Sequence, residues 1–259
     1  MNKDRLAFIE QELKDKGRIQ TTQIADTFGI TKPTARKYLD AVVKSDLRFS
    51  RVHGGAVLLR ETYDSGSTQE YSYQEYSYRT TSRKEQKRLI AEKAAGLVND
   101  RDTLFIDSGT TCFEFASSLL KSDKQLTVVT NGLRTGTMLS QNPNIAVALI
   151  SGFIRWNSNT IIDEYDAESW RAFNIDTYYF SASAVSIENG FSEYSMNEIR
   201  TKRQLIKHAS HSVALVDSSK LDRNSTGSFA ALDSVSCLIT DNDIDDSVLA
   251  RYAGIIKTL

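Results

Sequence analysis

Thr103-Leu104-Phe105-Ile106-Asp107-Ser108-Gly109-Thr110-Thr111 is the stretch whose reading decides the fold. Its first four residues are mostly apolar, β-branched or aromatic and predict a short buried strand. Small polar residues follow at once, and a helix is expected after Thr111. A strand that turns directly into a helix presents backbone N–H groups and the positive end of a helix dipole, so an anion is favoured there. Gly109 lets the backbone approach a ligand closely, and Ser108, Thr110 and Thr111 add hydroxyls. An ordinary helix cap would use the same residues. The motif therefore gains its weight from what surrounds it.

On the N-terminal side, Leu89, Ile90, Ala94 and Leu97 are spaced for one buried face of a helix from about Lys84 to Val98. On the C-terminal side, strands are expected at Leu126–Val129 and Ile145–Ile150, with a helix around Arg134–Ser140 between them. Further strands are expected at Thr177–Ser181, Val213–Val216 and Ser236–Ile239, with a helix at Asn197–Ala209. Short aliphatic strands alternating with helices predict an α/β domain built on a doubly wound, mainly parallel sheet covered on both faces.

Such sheets bind ligands beyond the carboxyl ends of their strands. Small and polar residues stand at that edge four times: Asp107–Thr111, Asn131 within Thr130-Asn131-Gly132, Gly152 within Ser151-Gly152, and Asp217-Ser218-Ser219-Lys220. Each could be a plain turn, but jointly they favour a site. Lys220 would supply the charge that a phosphate needs. Glu198 and Lys202 lie four apart on one helix. They are candidates for the same site or an intrahelical ion pair worth roughly a few tenths of a kcal/mol. Asp163, Glu164 and Asp166 could select a cationic or hydroxyl-rich group, or form a solvated acidic loop.

The first sixty residues have a different character. They hold twelve Lys/Arg against seven Asp/Glu, while the remainder holds twenty against twenty-six, so a basic end is joined to an acidic body. Leu6, Ile9 and Leu13 mark a first helix stopped by Gly17, and Thr21 or Thr22 opens a second that ends at Gly29. Thr31 caps a third, with Leu39, Val42 and Val43 facing inward. A ribbon from Leu47 to Val57 closes around Gly54-Gly55. Three helices and a ribbon predict a winged helix-turn-helix whose third helix reads DNA. Thr31, Lys32, Thr34, Arg36 and Lys37 suit phosphates and guanine edges, with Arg51 and His53 on the wing. Domain limits of 1–60 and 83–259 follow, joined by a polar, tyrosine-rich linker at 61–82.

The totals exclude several classes. With 259 residues, 40% apolar and 25% charged, the chain has ordinary globular composition for one or two domains. No run approaches the roughly eighteen apolar residues of a membrane span, and the first residues lack a signal-peptide core, which together predict a cytoplasmic protein. Cys112 and Cys237 are far apart, which indicates two buried apolar residues rather than a disulfide framework or a metal site. No cofactor motif is present.

Gly17-Arg18-Ile19, Ile24-Ala25, Phe28-Gly29-Ile30-Thr31, Thr34-Ala35-Arg36-Lys37 and above all Arg51-Val52-His53-Gly54-Gly55-Ala56 resemble the DeoR-type helix-turn-helix. The family's recognition helix usually runs Thr-Ile-Arg-Arg-Asp-Leu, and here Ala35, Lys37 and Tyr38 replace the Ile, the second Arg and the Asp. Lys87–Ala91, Asp107–Thr111, Thr130-Asn131, Glu198 with Lys202-Arg203, Asp217–Lys220 and Ile239–Asp241 resemble the DeoR sensor domain, whose fold is of the ribose-5-phosphate isomerase-like type. The resemblance implies a repressor that binds operator DNA as a homo-oligomer and answers to a phosphorylated sugar or related metabolite. The Ser108–Thr111 loop and Lys220 would grip the phosphate. An isomerase- or deaminase-like enzyme carrying a DNA-binding module is the alternative, with Asp107, Glu198 and Lys220 as its candidate groups. A DNA-binding architectural protein without a ligand is another.

Overall fold

The chain packs into two units divided between Tyr78 and Arg79 in the computed structural model, which describes residues 2–45, 49–52, 54–58, 79–155, 159–162 and 169–259. Helix α1 (Lys3–Lys16) starts where Asn2 Oδ1 accepts from Asp4 N at 2.9 Å, and it ends at Gly17, whose φ of 74° suits a residue without a side chain. Helices α2 (Thr21–Phe28) and α3 (Lys32–Ser45) follow. Thr34 N donates to Thr31 Oγ1 at 3.4 Å at the start of α3. At the start of α2, by contrast, Gln20 occupies the cap position without a side-chain bond to a backbone N–H, and Thr21 is buried instead of capping.

The expected ribbon is part of a three-stranded antiparallel sheet. Strand β1 (Arg18–Gln20), which the sequence reading missed, pairs with β3 (Gly55–Leu58), and β3 pairs with β2 (Phe49–Val52). Three residues are too few to show an alternating pattern, and only Ile19 of β1 is buried. Ile9, Leu13, Ile19, Ile24, Ala35, Leu39, Val42, Phe49 and Ala56 form the core of this unit. His53, residues 59–78 and the acidic Asp163, Glu164 and Asp166 lie outside the described residues.

The second unit spans Arg79–Leu259, and the buried Lys87 amine ties in its first residues by donating to the carbonyls of Arg79 and of Ser82, the latter at 2.7 Å. Its elements in chain order start with α4 (Lys84–Ala95), β4 (Thr103–Ile106), α5 (Thr110–Leu119), β5 (Leu126–Thr130), α6 (Leu133–Leu139) and β6 (Ile145–Leu149). A hairpin of β7 (Phe153–Ile154) and β8 (Ile161–Ile162) precedes β9 (Thr177–Phe180), β10 (Ala184–Ser186) and β11 (Gly190–Glu193). Then come α7 (Met196–His208), β12 (His211–Leu215), β13 (Gly227–Ala230), β14 (Cys237–Ile239) and α8 (Asp246–Ala253).

Six strands form a wholly parallel sheet in the order β14-β12-β9-β4-β5-β6. Alternation along each strand sends side chains to two separate cores. Leu104, Ile106, Val128, Tyr179, Val213 and Leu215 pack with residues of α4 and α5 on one face. Phe105, Val129, Tyr178, Phe180, Ala214 and Leu238 pack with residues of α7 and α8 on the other. A small antiparallel sheet in the order β10-β11-β13 helps to cover that second face.

Chain order reverses between β4 and β9. From β4 the chain steps outward through β5 and β6, and from β9 it steps the opposite way through β12 and β14. The carboxyl ends of β4 and β9 lie side by side, with Asp107 N donating to Tyr179 O at 3.0 Å. Diverging loops leave a crevice at such a point, which makes it the favoured ligand position in an open α/β sheet.

Candidate functional site

In the first unit, α3 presents Thr31, Lys32, Arg36 and Lys37 to solvent with Thr34 partly buried, while Ala35, Tyr38, Leu39 and Val42 face the core. Tyr38 thus sits inward, where its hydroxyl meets Asn2 N at 3.3 Å and the Arg5 guanidinium lies 5.8 Å from its ring centre. The substitutions of Ala35 and Tyr38 therefore touch the core, and that of Lys37 touches the exposed face. Arg51 has a structural role as well. Its Nε meets Asp40 of α3 at 3.0 Å and its Nη1 donates to Gly55 O at 2.6 Å, tying the wing to the helix.

In the second unit, Asp107 and Ser108 leave the end of β4 and α5 starts at Thr110. Ser108, Thr110 and Thr111 are all buried. The next loop closes on this one: a Cβ at Gly132 would stand 3.3 Å from the Ser108 Cα and 2.9 Å from Thr135 Oγ1, so a larger residue would force its neighbours to shift. The β7–β8 hairpin completes the crevice. Ser108 Oγ and Thr160 Oγ1 are 2.8 Å apart, Ile161 N donates to Asn131 O at 2.8 Å, and Arg134 N donates to Asn159 Oδ1 at 2.5 Å. Gly152 turns the chain from β6 into this hairpin at φ 146°, and a Cβ there would meet the Ile162 carbonyl at 2.2 Å.

Lys202, from α7, holds the adjoining side. Its Nζ stands 3.1 Å from Asp107 Oδ2 and 2.6 Å from Glu193 Oε1, and it donates to Ser181 O at 2.6 Å. Burial disfavours its charge, but Asp107, Glu193 and Glu198 together outweigh burial and raise its pKa. Burial likewise works against ionised Glu193, and Lys202 with the Ser183 hydroxyl brings that carboxyl below its ordinary range. Glu198 pairs with Arg155 at 2.5 Å, so inter-element contacts replace the expected pair with Lys202. Burial and the nearby Glu193 raise the pKa of Glu198, with Lys202 and Arg155 opposing.

Lys220 donates to Ala182 O at 2.7 Å and to Ser181 Oγ at 3.2 Å, and lies 3.9 Å from Asp217. Burial and then Arg79 lower its pKa. Burial and then Lys220 bring Lys87 down to about 8. Arg83 reaches the same loop, with Nη2 donating to Ser218 Oγ at 2.8 Å and Nε 3.2 Å from Asp217. Arg79, Lys87 and Lys220 are thus positive groups close enough to work against one another, which is a setting that favours a bound anion.

Asp107, Ser108, Gly109, Thr110, Thr111 and Asn131 fall together at the crevice, with Lys202, Glu198 and Lys220 on its cationic side and Gly152 farther out at the hairpin turn. Sequence reasoning missed Asn159, Thr160, Glu193, Arg155, Arg79 and Lys87. No local signal marks them as part of the site, since each comes from an element away from the Asp107–Thr111 loop along the chain. Cys112 and Cys237 are buried and unbridged, and burial pushes the Cys112 thiol up. Among the described residues no helix is long and apolar enough to cross a membrane, and no His/Cys/Asp/Glu cluster could hold a metal ion.

An exposed basic recognition helix with a wing, and a parallel sheet with a polar crevice at its switch point, define a two-module transcriptional regulator. Residues 5–62 match the DeoR-like helix-turn-helix domain and residues 82–242 match the DeoR C terminal sensor domain, so the chain belongs to the DeoR family. It is similar to the HTH-type transcriptional regulator GolR of Listeria innocua, with 30% identity over 93% of this chain and 91% of that one. It is also similar to the lactose phosphotransferase system repressor of Lactococcus lactis, at 31% over 99% of each. The glycerol-3-phosphate regulon repressor of Escherichia coli is 28% identical over 88% of this chain and 86% of that one. Among solved structures, ribose 5-phosphate isomerase A of Neisseria gonorrhoeae aligns over 52% of each chain at 21% identity with a TM-score of 0.38.

Proposed function

We propose that this chain represses a carbohydrate-utilisation operon as a cytoplasmic homo-oligomer, and that a phosphorylated sugar or related metabolite in the switch-point crevice modulates its hold on operator DNA. One observation carries the reading: a single chain joins an exposed basic helix to a buried, hydroxyl-lined crevice flanked by Lys202, Lys220 and Lys87. Two relatives named as repressors, one of them of a glycerol-3-phosphate regulon, support the repressor sign and the phosphate. The enzyme alternative is disfavoured because its candidate groups are already engaged. Asp107 is paired with Lys202, Glu198 with Arg155, and Lys220 with two groups at the end of β9.

The route from effector to DNA starts at the Asp217–Lys220 loop. That loop touches the crevice through Lys220 and holds Arg83, in the first residues of the sensor unit, through Asp217 and Ser218. A change at the crevice would alter how these residues are held and so the spacing of two recognition helices in an oligomer. Half-sites on DNA must match that spacing, so affinity changes. The test is titration of operator DNA with and without a broad panel of sugar phosphates. A change in DNA affinity of at least fivefold with one of them is expected. Unchanged affinity across the panel would overturn the effector reading.

A further inference from the structure

The crevice carries unmatched polar atoms of a particular kind. Asn131 and Asn159 are 6% and 4% exposed, yet Asn131 Oδ1 and Asn159 Nδ2 have no hydrogen-bond partner among the described residues. The Thr110 and Thr111 hydroxyls, also buried, share that condition. Such atoms each cost about 1–3 kcal/mol when left unpaired away from water, so several on adjoining loops point to a ligand that completes them.

Chemistry separates what each atom wants. An ionised phosphate ester presents only acceptor oxygens, which suit backbone N–H groups, threonine hydroxyls and an amide N–H. It has nothing to donate to the Asn131 carboxamide oxygen. The orientation of Asn159 is set by its backbone neighbour, because Oδ1 accepts from Arg134 N at 2.5 Å and this leaves Nδ2 as the spare donor. The loop after β5 meets the hairpin in an antiparallel bridge of Gly132 with Thr160, so Asn131 faces Ile161 and Asn159 faces Leu133, and the two asparagines lie diagonally across that bridge. A spare acceptor and a spare donor placed diagonally on adjoining segments suit a ligand that carries hydroxyls, since an alcohol both donates and accepts.

We propose that Asn131 and Asn159 select the hydroxyl-bearing part of the effector, so that the crevice distinguishes a polyhydroxylated phosphate ester from a plain alkyl phosphate. This inference rests on the effector site proposed above. The hairpin residue Asn159 is its specificity determinant, and the Ser108–Thr111 loop serves the phosphate.

Calorimetric titration of the full chain with propyl phosphate, glycerol 3-phosphate, a pentose 5-phosphate and a hexose 6-phosphate tests it. At least one hydroxylated ester should bind about tenfold or more tighter than propyl phosphate, and Asn159→Ala should reduce that ratio to about threefold or less. Asn159→Asp keeps an acceptor for Arg134 N and removes the donor, so it should collapse the same ratio even if the alanine variant folds poorly. Because the added charge acts on all four phosphates alike, the ratio isolates the lost donor. A ratio preserved in Asn159→Asp, or equal affinities in the parent protein, would overturn this inference and leave the effector site standing. Absence of binding by all four esters would overturn the effector site and this inference together.

Discussion

Arg36 on the recognition helix and Lys202 in the sensor carry the same charge in opposite settings. Arg36 stands in water, with its neighbours Lys32 and Lys37 exposed beside it. Lys202 is 3% exposed and held by Asp107 and Glu193. DNA is a dense row of phosphates, and exposed cations gain by displacing its counterions, so the reading surface needs little prior organisation. A small effector offers few charges. It is bound well only where dipoles and ions are already fixed in a poorly solvated crevice. One half of the molecule therefore carries accessible charge and the other charge already paired.

The sharpest way to break that comparison is at Lys202. Lys202→Met leaves two buried carboxylates without their cation and should destabilise the sensor unit by about 3–5 kcal/mol in urea unfolding. Adding Glu193→Gln should recover part of the loss. A cost below about 1 kcal/mol would show that the site is solvated and resembles the recognition helix after all.

Lys87 offers the next test, through pH. Its folded pKa of about 8 lies below its ordinary 10.5. Protonated Lys87 is therefore a cost to the folded state at neutral pH, and that cost is relieved as pH rises from about 8 toward 10. The stability of the parent protein relative to Lys87→Met should rise across that window by up to about 3 kcal/mol. A flat difference would show that the carbonyls of Arg79 and Ser82 hold the ammonium without penalty.

On the exposed side the effects are smaller and fall on binding. Arg36→Ala should weaken operator binding by about 1–3 kcal/mol with little change in unfolding. Lys37→Ala should reduce the salt slope by about one if it meets a phosphate. Equal losses in DNA affinity and in stability would show that this face is structural. The smallest effect is expected at the wing. Arg51→Ala and Asp40→Ala should each cost less than about 1 kcal/mol of stability and lower DNA affinity to a similar extent, because both release the same tether. A loss with Arg51→Ala alone would show that Arg51 contacts DNA directly.

Particular elements show what was legible. The β4 strand was read at its bounds because Leu104, Phe105 and Ile106 serve two buried faces and so form a continuous apolar run, as strands of a covered parallel sheet must. The basic helix was legible because Leu39, Val42 and Val43 mark an inward stripe while Lys32, Arg36 and Lys37 fall elsewhere, and the structure adds Ala35 to that stripe and leaves Val43 only half-buried. The small β10-β11-β13 sheet was missed. Its strands are three or four residues long and rich in serine and glycine, and β13 arrives from beyond α7 and β12. The helix α8 was missed as well, with only Tyr252 fully buried to mark its inner face.

By itself the sequence determined the order of the longer helices and the parallel strands, the two modules and the Asp107–Thr111 loop, because periodicity and capping chemistry act over a few neighbouring residues. Only the tertiary structure decided which groups meet there. Asp107 finds Lys202, Ser108 finds Thr160 and Arg51 finds Asp40, each from a different element of the chain. No local pattern encodes those meetings. The first two follow from the reversal of strand order between β4 and β9, which brings separate loops together, and the third from the packing of the wing beside α3.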